Sequence, residues 1–153
     1  MILRPATAAD ATAVADIDLS ARAEALPFVR WAHPPHEVRA WIAGTLIPGG
    51  GVIVAEAEGE LLGYMAVHED WVAQLYIRPG NWRHGIGSAL LKHAKAARPD
   101  GLRLWCFQRN ARARAFYERH GFAAERMTDG ADNEEHEPDV LYVWPSNPRN
   151  RTD

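Results

Sequence analysis

Apolar residues along this chain switch between two spacings, and the switches mark out its elements. Val14, Ile17 and Ala21 recur at helical intervals and predict a first helix. It is opened by the capping signature Thr7-Ala8-Ala9-Asp10 and preceded by a short strand at 2–4. Pro27, Pro34 and Pro35 punctuate a loop over 26–35. Beyond it Val38, Trp41 and Ile42 are expected to face the core from a second helix, with Pro35 in its first turn and Glu37 near its positive end. Pro48 and Gly49-Gly50-Gly51 stop that helix. Aromatic and β-branched residues then predict strands at 52–57, 61–68 and 71–77. The first two join as a hairpin across Glu58-Gly59-Glu60, and Glu69-Asp70 turns the chain into the third. Ile86, Leu90 and Ala94, with Ala97 beyond, form the stripe of a third helix. A Pro99-Asp100-Gly101 turn leads to a strand at 102–107, and Asn110 opens a fourth helix that Gly121 ends. Segments 122–127 and 140–144 close the pattern as two strands around a polar loop.

The resulting order, β-α-α-β-β-β-α-β-α-β-β, defines an α/β or α+β chain with a mixed sheet. A length of 153 residues suits one domain, taken as 1–145, with a Pro/Asn/Arg-rich tail over 146–153 expected to be loose. Hydrophobic residues at 47% and charged ones at 24% exclude a disordered chain. A net charge of -3 gives no reason to expect nucleic acid as a partner, and Arg109, Arg112, Arg114 and Arg119 read as a solvated helix face. Cys106, the sole cysteine, rules out an internal disulfide and reads as a buried structural thiol. No signal region opens the chain and no apolar run reaches membrane-spanning length. A soluble, cytoplasmic protein is therefore expected, with homodimerisation left open.

Chemistry concentrates where the strand at 71–77 passes through Arg78-Pro79-Gly80-Asn81-Trp82-Arg83-His84-Gly85-Ile86-Gly87-Ser88 into the third helix. A helix start carries amides without internal partners and a partial positive charge, so it favours an anion. Gly85 and Gly87 lack a Cβ, which lets a phosphate approach the bare amides. The dinucleotide fingerprint is not met, because Leu90 stands where a third small residue belongs, and no Gly-Lys-Ser/Thr follows as a Walker loop requires.

Residues 72–91 resemble the acetyl-CoA-binding motif of the GNAT acetyltransferase superfamily: a strand, Arg/Gln-x-x-Gly-x-Gly/Ala, then a helix. Asn110-Ala111-Arg112-Ala113-Arg114-Ala115-Phe116-Tyr117-Glu118-Arg119-His120-Gly121-Phe122 matches a second family block, Asn-x-x-Ala-x-x-x-Tyr-x-x-x-Gly-Phe. Trp82 departs from the pattern, holding the Arg/Gln slot with Arg83 displaced by one, which shifts weight onto backbone amides. The resemblance covers about residues 50–125 and implies the GNAT fold. In that fold a mostly antiparallel mixed sheet is flanked by helices, and the fourth and fifth strands splay around the cofactor. It implies an N-acetyltransferase that moves acetyl from acetyl-CoA to a primary amine by direct attack in a ternary complex, without a metal. The implied cofactor residues are Leu75, Tyr76 and Ile77 through the strand backbone, Arg83, His84, Gly85, Ile86, Gly87 and Ser88 at the pyrophosphate, and Asn110 beside the pantetheine chain. Tyr117 is the implied acid for the departing thiolate, and helical geometry returns it to nearly the face of Asn110. From the residues alone, Asn110 reads rather as an N-cap and Tyr117 as a core side chain.

The general base stays unassigned, because 71–77 and 102–107 contain no carboxylate. Glu69 and Asp70 reach the site only through water and read rather as a solvated turn. The acidic loop 129–139 either draws in a cationic amine or is merely solvated, and Trp31, Trp71 and Trp105 either line an acceptor pocket or fill the core. His33 and His36 lack the further ligands a metal site needs. A small-molecule amine is the expected acceptor. Its competitors are a protein N-terminus or lysine, and a domain that senses acyl-CoA without catalysis.

Overall fold

The computed structural model describes residues 1–82 and 84–146. Its strands are β1 (Ile2–Pro5), β2 (Val52–Ala57), β3 (Glu60–His68), β4 (Trp71–Ile77), β5 (Leu102–Phe107), β6 (Ala123–Met127) and β7 (Asp139–Trp144). The helices are α1 (Ala11–Ala25), α2 (Pro35–Trp41), α3 (Ile86–Ala97) and α4 (Ala111–Arg119). The strands form one sheet in the order β1-β2-β3-β4-β5-β7-β6. The expected mixed architecture is thus present, with β7 inserted between β5 and β6.

Local chemistry explains the joints. Asp10 Oδ2 accepts from the Thr7 amide at 2.7 Å, and both Asp10 oxygens hold the Arg4 guanidinium, which ties β1 to the entry of α1. The β2–β3 hairpin turns on Glu58 (φ 52°) and Gly59 (φ 79°), the left-handed pair that matches strand twist in a two-residue loop. Gly121 (φ 86°) ends α4 as expected.

Opposed residues in an antiparallel ladder share a face, so register assigns the two layers. On one side α1, α2 and the helical turn that follows it (Ile42–Leu46) bring Val14, Ile17, Val38 and Ile42 against Val52, Val54, Tyr64 and Ala66. On the other, Ile86, Leu90, Leu91 and Ala94 of α3 and Tyr117 of α4 pack with Met65, Val72, Leu104, Cys106 and Tyr142. Two expected core positions fail. Trp41 is 38% exposed, because Val38 and Ile42, four apart, take the inward line and Trp41 falls about 100° off it. Ala97, in the last turn of α3, is exposed.

All neighbouring strands pair antiparallel except β4 and β5, which run parallel and share one bridge, Trp71 with Arg103. Beyond that bridge the two strands part, which is the splay expected of the fourth and fifth strands. Partners of β3 step from Gln74 to Val72 between Ala66 and Val67, so Ala73 is an extra, bulged residue on β4 beside the opening.

Candidate active site

The opening between β4 and β5 leads into a cavity of about 760 Å³. Leu75, Tyr76 and Ile77 of β4, Gly85, Gly87 and Ser88 at the head of α3, and Asn110 and Tyr117 of α4 all border it. Eight sequence-predicted residues therefore converge on one space. The Ile86 side chain is buried in the core, so only its backbone amide is available at the turn. His84 is exposed and outside the lining, and Arg83 lies outside the described residues. Residues 147–153 of the expected loose tail also lie outside them.

The head of α3 is suited to an anion for a reason visible in its hydrogen bonds. Its first intrahelical bond runs from the Ala89 amide to the Gly85 carbonyl at 3.0 Å, so the amides of Ile86, Gly87 and Ser88 lie upstream of any helical acceptor. Gly85 sits at φ 75°, and a Cβ on Gly87 would come within 3.2 Å of the Phe116 ring. Trp82 anchors this turn by donating its indole N–H to the Ile77 carbonyl at 3.3 Å, and the Arg112 guanidinium from α4 lies over its ring at 4.2 Å. Ser88 Oγ is 3.0 Å from His120 Nε2, and Lys95 Nζ donates to the His120 carbonyl. Burial, then Lys95 and Arg119, push the His120 imidazole below its usual range, so it is neutral near pH 7.

Tyr117 is 9% exposed and packs edge-on against Phe116 and Phe122. Burial, with Cys106 next in weight, raises its phenol well above the usual range, which keeps it a proton donor at neutral pH. Asn110 Oδ1 accepts from the Ala113 amide at 3.3 Å, so it does cap α4 while bordering the cavity. Cys106 is buried, and that burial pushes its thiol up to about 12; it is not a thiolate under ordinary conditions.

Across the sheet, on the α1 side, a second cavity of about 350 Å³ shares Trp105, Cys106 and Phe107 with the first. Asp132, Glu135 and Asp139 from the acidic loop border it, with Arg126 as the cation in the lining. The loop is ordered by specific bonds rather than merely solvated. Glu137 is buried and takes both Arg109 donors at 2.7 and 2.8 Å, Asp139 is held by Thr128 and Asn133, and His33 bridges Glu37 and Glu134. Arg114 reaches the Tyr142 hydroxyl at 3.0 Å. With Arg112 on Trp82, three of the four arginines read as a solvated face are thus engaged.

The tryptophans divide. Trp71 and Trp105 stack at 6.4 Å, with Trp105 41% exposed at the rim of both cavities, whereas Trp31 packs on Phe107 beneath the Arg22 guanidinium. Arg22 Nε in turn lies 2.7 Å from Asp18 Oδ1, an ion pair rather than a directed hydrogen bond, while Tyr64 donates to Asp18 Oδ2. Asp70 is bound at both oxygens by Arg103, at 2.9 and 3.0 Å, which ties the turn before β4 to β5. Among the described residues no cluster of His, Cys, Asp and Glu could hold a metal.

Sequence reasoning missed Gln74. It borders the larger cavity, and its Oε1 is buried with no hydrogen-bond partner among the described residues, a costly state at about 1–3 kcal/mol. The available signal was its place as the one amide side chain within 71–77.

A parallel strand pair open beyond one bridge, with a glycine-headed helix aimed into the opening, forms a slot suited to an anion-bearing ligand lodged between strands. The family model described as "Acetyltransferase (GNAT) domain" matches residues 48–124, half of the chain, and the chain belongs to that family of acyl-CoA-dependent acyltransferases. A probable N-acetyltransferase of Mycobacterium tuberculosis, Rv2775, is 33% identical over 88 residues, 52% of this chain and 51% of that protein. The match thus spans about half the length of that relative. The Escherichia coli peptidyl-lysine N-acetyltransferase YiaC is 28% identical over 123 residues, 75% of this chain and 82% of its own. In structure, apo YjaB of Escherichia coli superposes with a TM-score of 0.78 at 20% identity, covering 94% of this chain and 98% of that one. That likeness establishes the fold alone.

Proposed function

We propose that the protein transfers the acetyl group of acetyl-CoA to a primary amine carried on a small molecule, by direct attack in a ternary complex. The observation that carries this reading is the convergence of the upstream α3 amides, the parted edge of β4 and the Tyr117 phenol on one cavity. The amides of 86–88 and the Ser88 hydroxyl suit a diphosphate. The free edge of β4 at Leu75, Tyr76 and Ile77 suits the amides of a pantetheine arm, added like a strand. Acetyl-CoA itself brings the acyl chemistry as cosubstrate.

The reaction then divides among the chain's own groups. The amine nitrogen bonds to the thioester carbon, and a β4 amide beside the Ala73 bulge stabilises the oxyanion. The carbon–sulfur bond breaks, and Tyr117 gives its proton to the departing thiolate. The ammonium sheds one proton to water before attack and the nitrogen a second as the amide forms, and the Tyr117 phenolate is then reprotonated from water. Cys106 takes no acetyl group, since its thiol stays protonated.

Free-thiol release from acetyl-CoA over a panel of small amines and lysine peptides tests this reading. Release with a small amine supports it, release with peptides alone favours the protein-lysine reading suggested by the name of YiaC, and CoA binding without release leaves a sensor.

A further inference from the structure

We propose that Gln74 is the positioning residue for the acceptor amine, its Oε1 accepting a hydrogen bond from the amine N–H. The proposal rests on the acetyl-transfer reading and starts from an anomaly. A carbonyl oxygen buried at the edge of a cavity without a donor among the described residues is a group suited to a ligand's donor. Being an oxygen, it selects ligands that carry N–H or O–H there and rejects those that do not.

Register decides which ligand meets it. Gln74 stands opposite Ala66, and Tyr76 stands opposite Tyr64; Ala66 and Tyr64 belong to the layer that α1 and α2 cover. Gln74 therefore faces away from α3 and α4, where the phosphate-seeking amides lie, and toward the side bordered by Ala21, Ala25 and Leu26. That is the side from which a nucleophile must approach a thioester lodged between β4 and β5. Gln74 sits next to the Ala73 bulge, so an amine held by its Oε1 is one residue from the amide that receives the oxyanion. An amide cannot take up a proton at working pH, so its role is to aim the nitrogen lone pair. The competing source of N–H is the pantetheine arm itself.

Gln74→Met keeps the side-chain length and removes the oxygen, and Gln74→Glu restores an oxygen at the same place. With n-butylamine as probe, Gln74→Met should raise the amine KM about tenfold, leave CoA affinity within twofold, and keep or raise Tm because a buried unpaired oxygen is gone. Gln74→Glu should return the amine KM toward the wild-type value. Calorimetry of n-butylamine with CoA-saturated protein reads the same contact without turnover. Binding weakened by Gln74→Met in a protein that releases no thiol would sink the transferase reading and leave the Gln74 contact standing. The contact is overturned by amine affinity that changes less than threefold in Gln74→Met, by a loss that falls on CoA instead, or by wild-type protein that takes up no n-butylamine.

Discussion

The two faces of the sheet meet the β4–β5 opening with opposite chemistry. On the α3/α4 side the groups turned to the cavity are donors: upstream helix amides, the Ser88 hydroxyl, the Tyr117 phenol and the Arg112 guanidinium parked on Trp82. On the α1 side Gln74 offers an acceptor to the same cavity and Trp105 an aromatic rim, while Asp132 and Glu135 border the adjoining second cavity together with Arg126. On the proposed reading, a single gap in one sheet offers amide donors to a diphosphate on one face and an acceptor to an amine on the other.

Breaking the donor face should have the largest effect. Gly87→Glu sets a carboxylate among the upstream amides and a Cβ against Phe116, and CoA affinity by calorimetry is expected to fall more than about 100-fold with the circular dichroism spectrum retained. Next, Tyr117→Phe should lower kcat about 10- to 100-fold while CoA affinity stays within twofold, read by steady-state kinetics and calorimetry on the same protein. Sharpening the acceptor face, Asp132→Asn with Glu135→Gln should raise KM for a cationic amine only a few-fold, about threefold, with the difference fading as salt is added. An equal effect on a neutral acceptor would show that charge is not what the loop supplies.

The smallest effect lies away from both faces. Asp10→Asn loosens the Arg4 tie and the Thr7 cap and should cost about 1 kcal/mol in urea unfolding, with no change in KM for either substrate. The Arg4 guanidinium chiefly holds the Asp10 carboxyl down, from 3.8 to about 2. A depressed carboxyl stabilises the fold fully above its unfolded value, so this contribution is expected to persist down to pH 3.8 and to vanish as pH falls through about 2.

The donor face was legible in the sequence because helix starts and glycines are local signals, and the Asn110-to-Phe122 block spells a single helix. Strand order was visible as a list of elements, but the insertion of β7 between β5 and β6 depends on pairings more than thirty residues apart, which no window of sequence contains. Trp41 misled because periodicity gives a helix's stripe only to within one position. The acceptor face was hidden for a different reason. Arg109 and Glu137, or His33 and Glu134, are unremarkable singly and acquire meaning only through distant partners. Gln74 was hidden more deeply, since a glutamine inside a strand looks like a solvent-facing residue until its burial and its side of the sheet are known.

Ala73 sets the phase of that acceptor wall. Trp71 and Gln74 are three residues apart and would point to opposite faces of a regular strand, yet their partners His68 and Ala66 are two apart, so the intervening bulge turns both to the same face. Excising that one residue would leave every other side chain intact while sending either the indole or the amide through to the wrong face. On the proposed reading, substrate choice is thus a matter of counting as much as of chemistry: one spare link in the backbone decides which partners share a room.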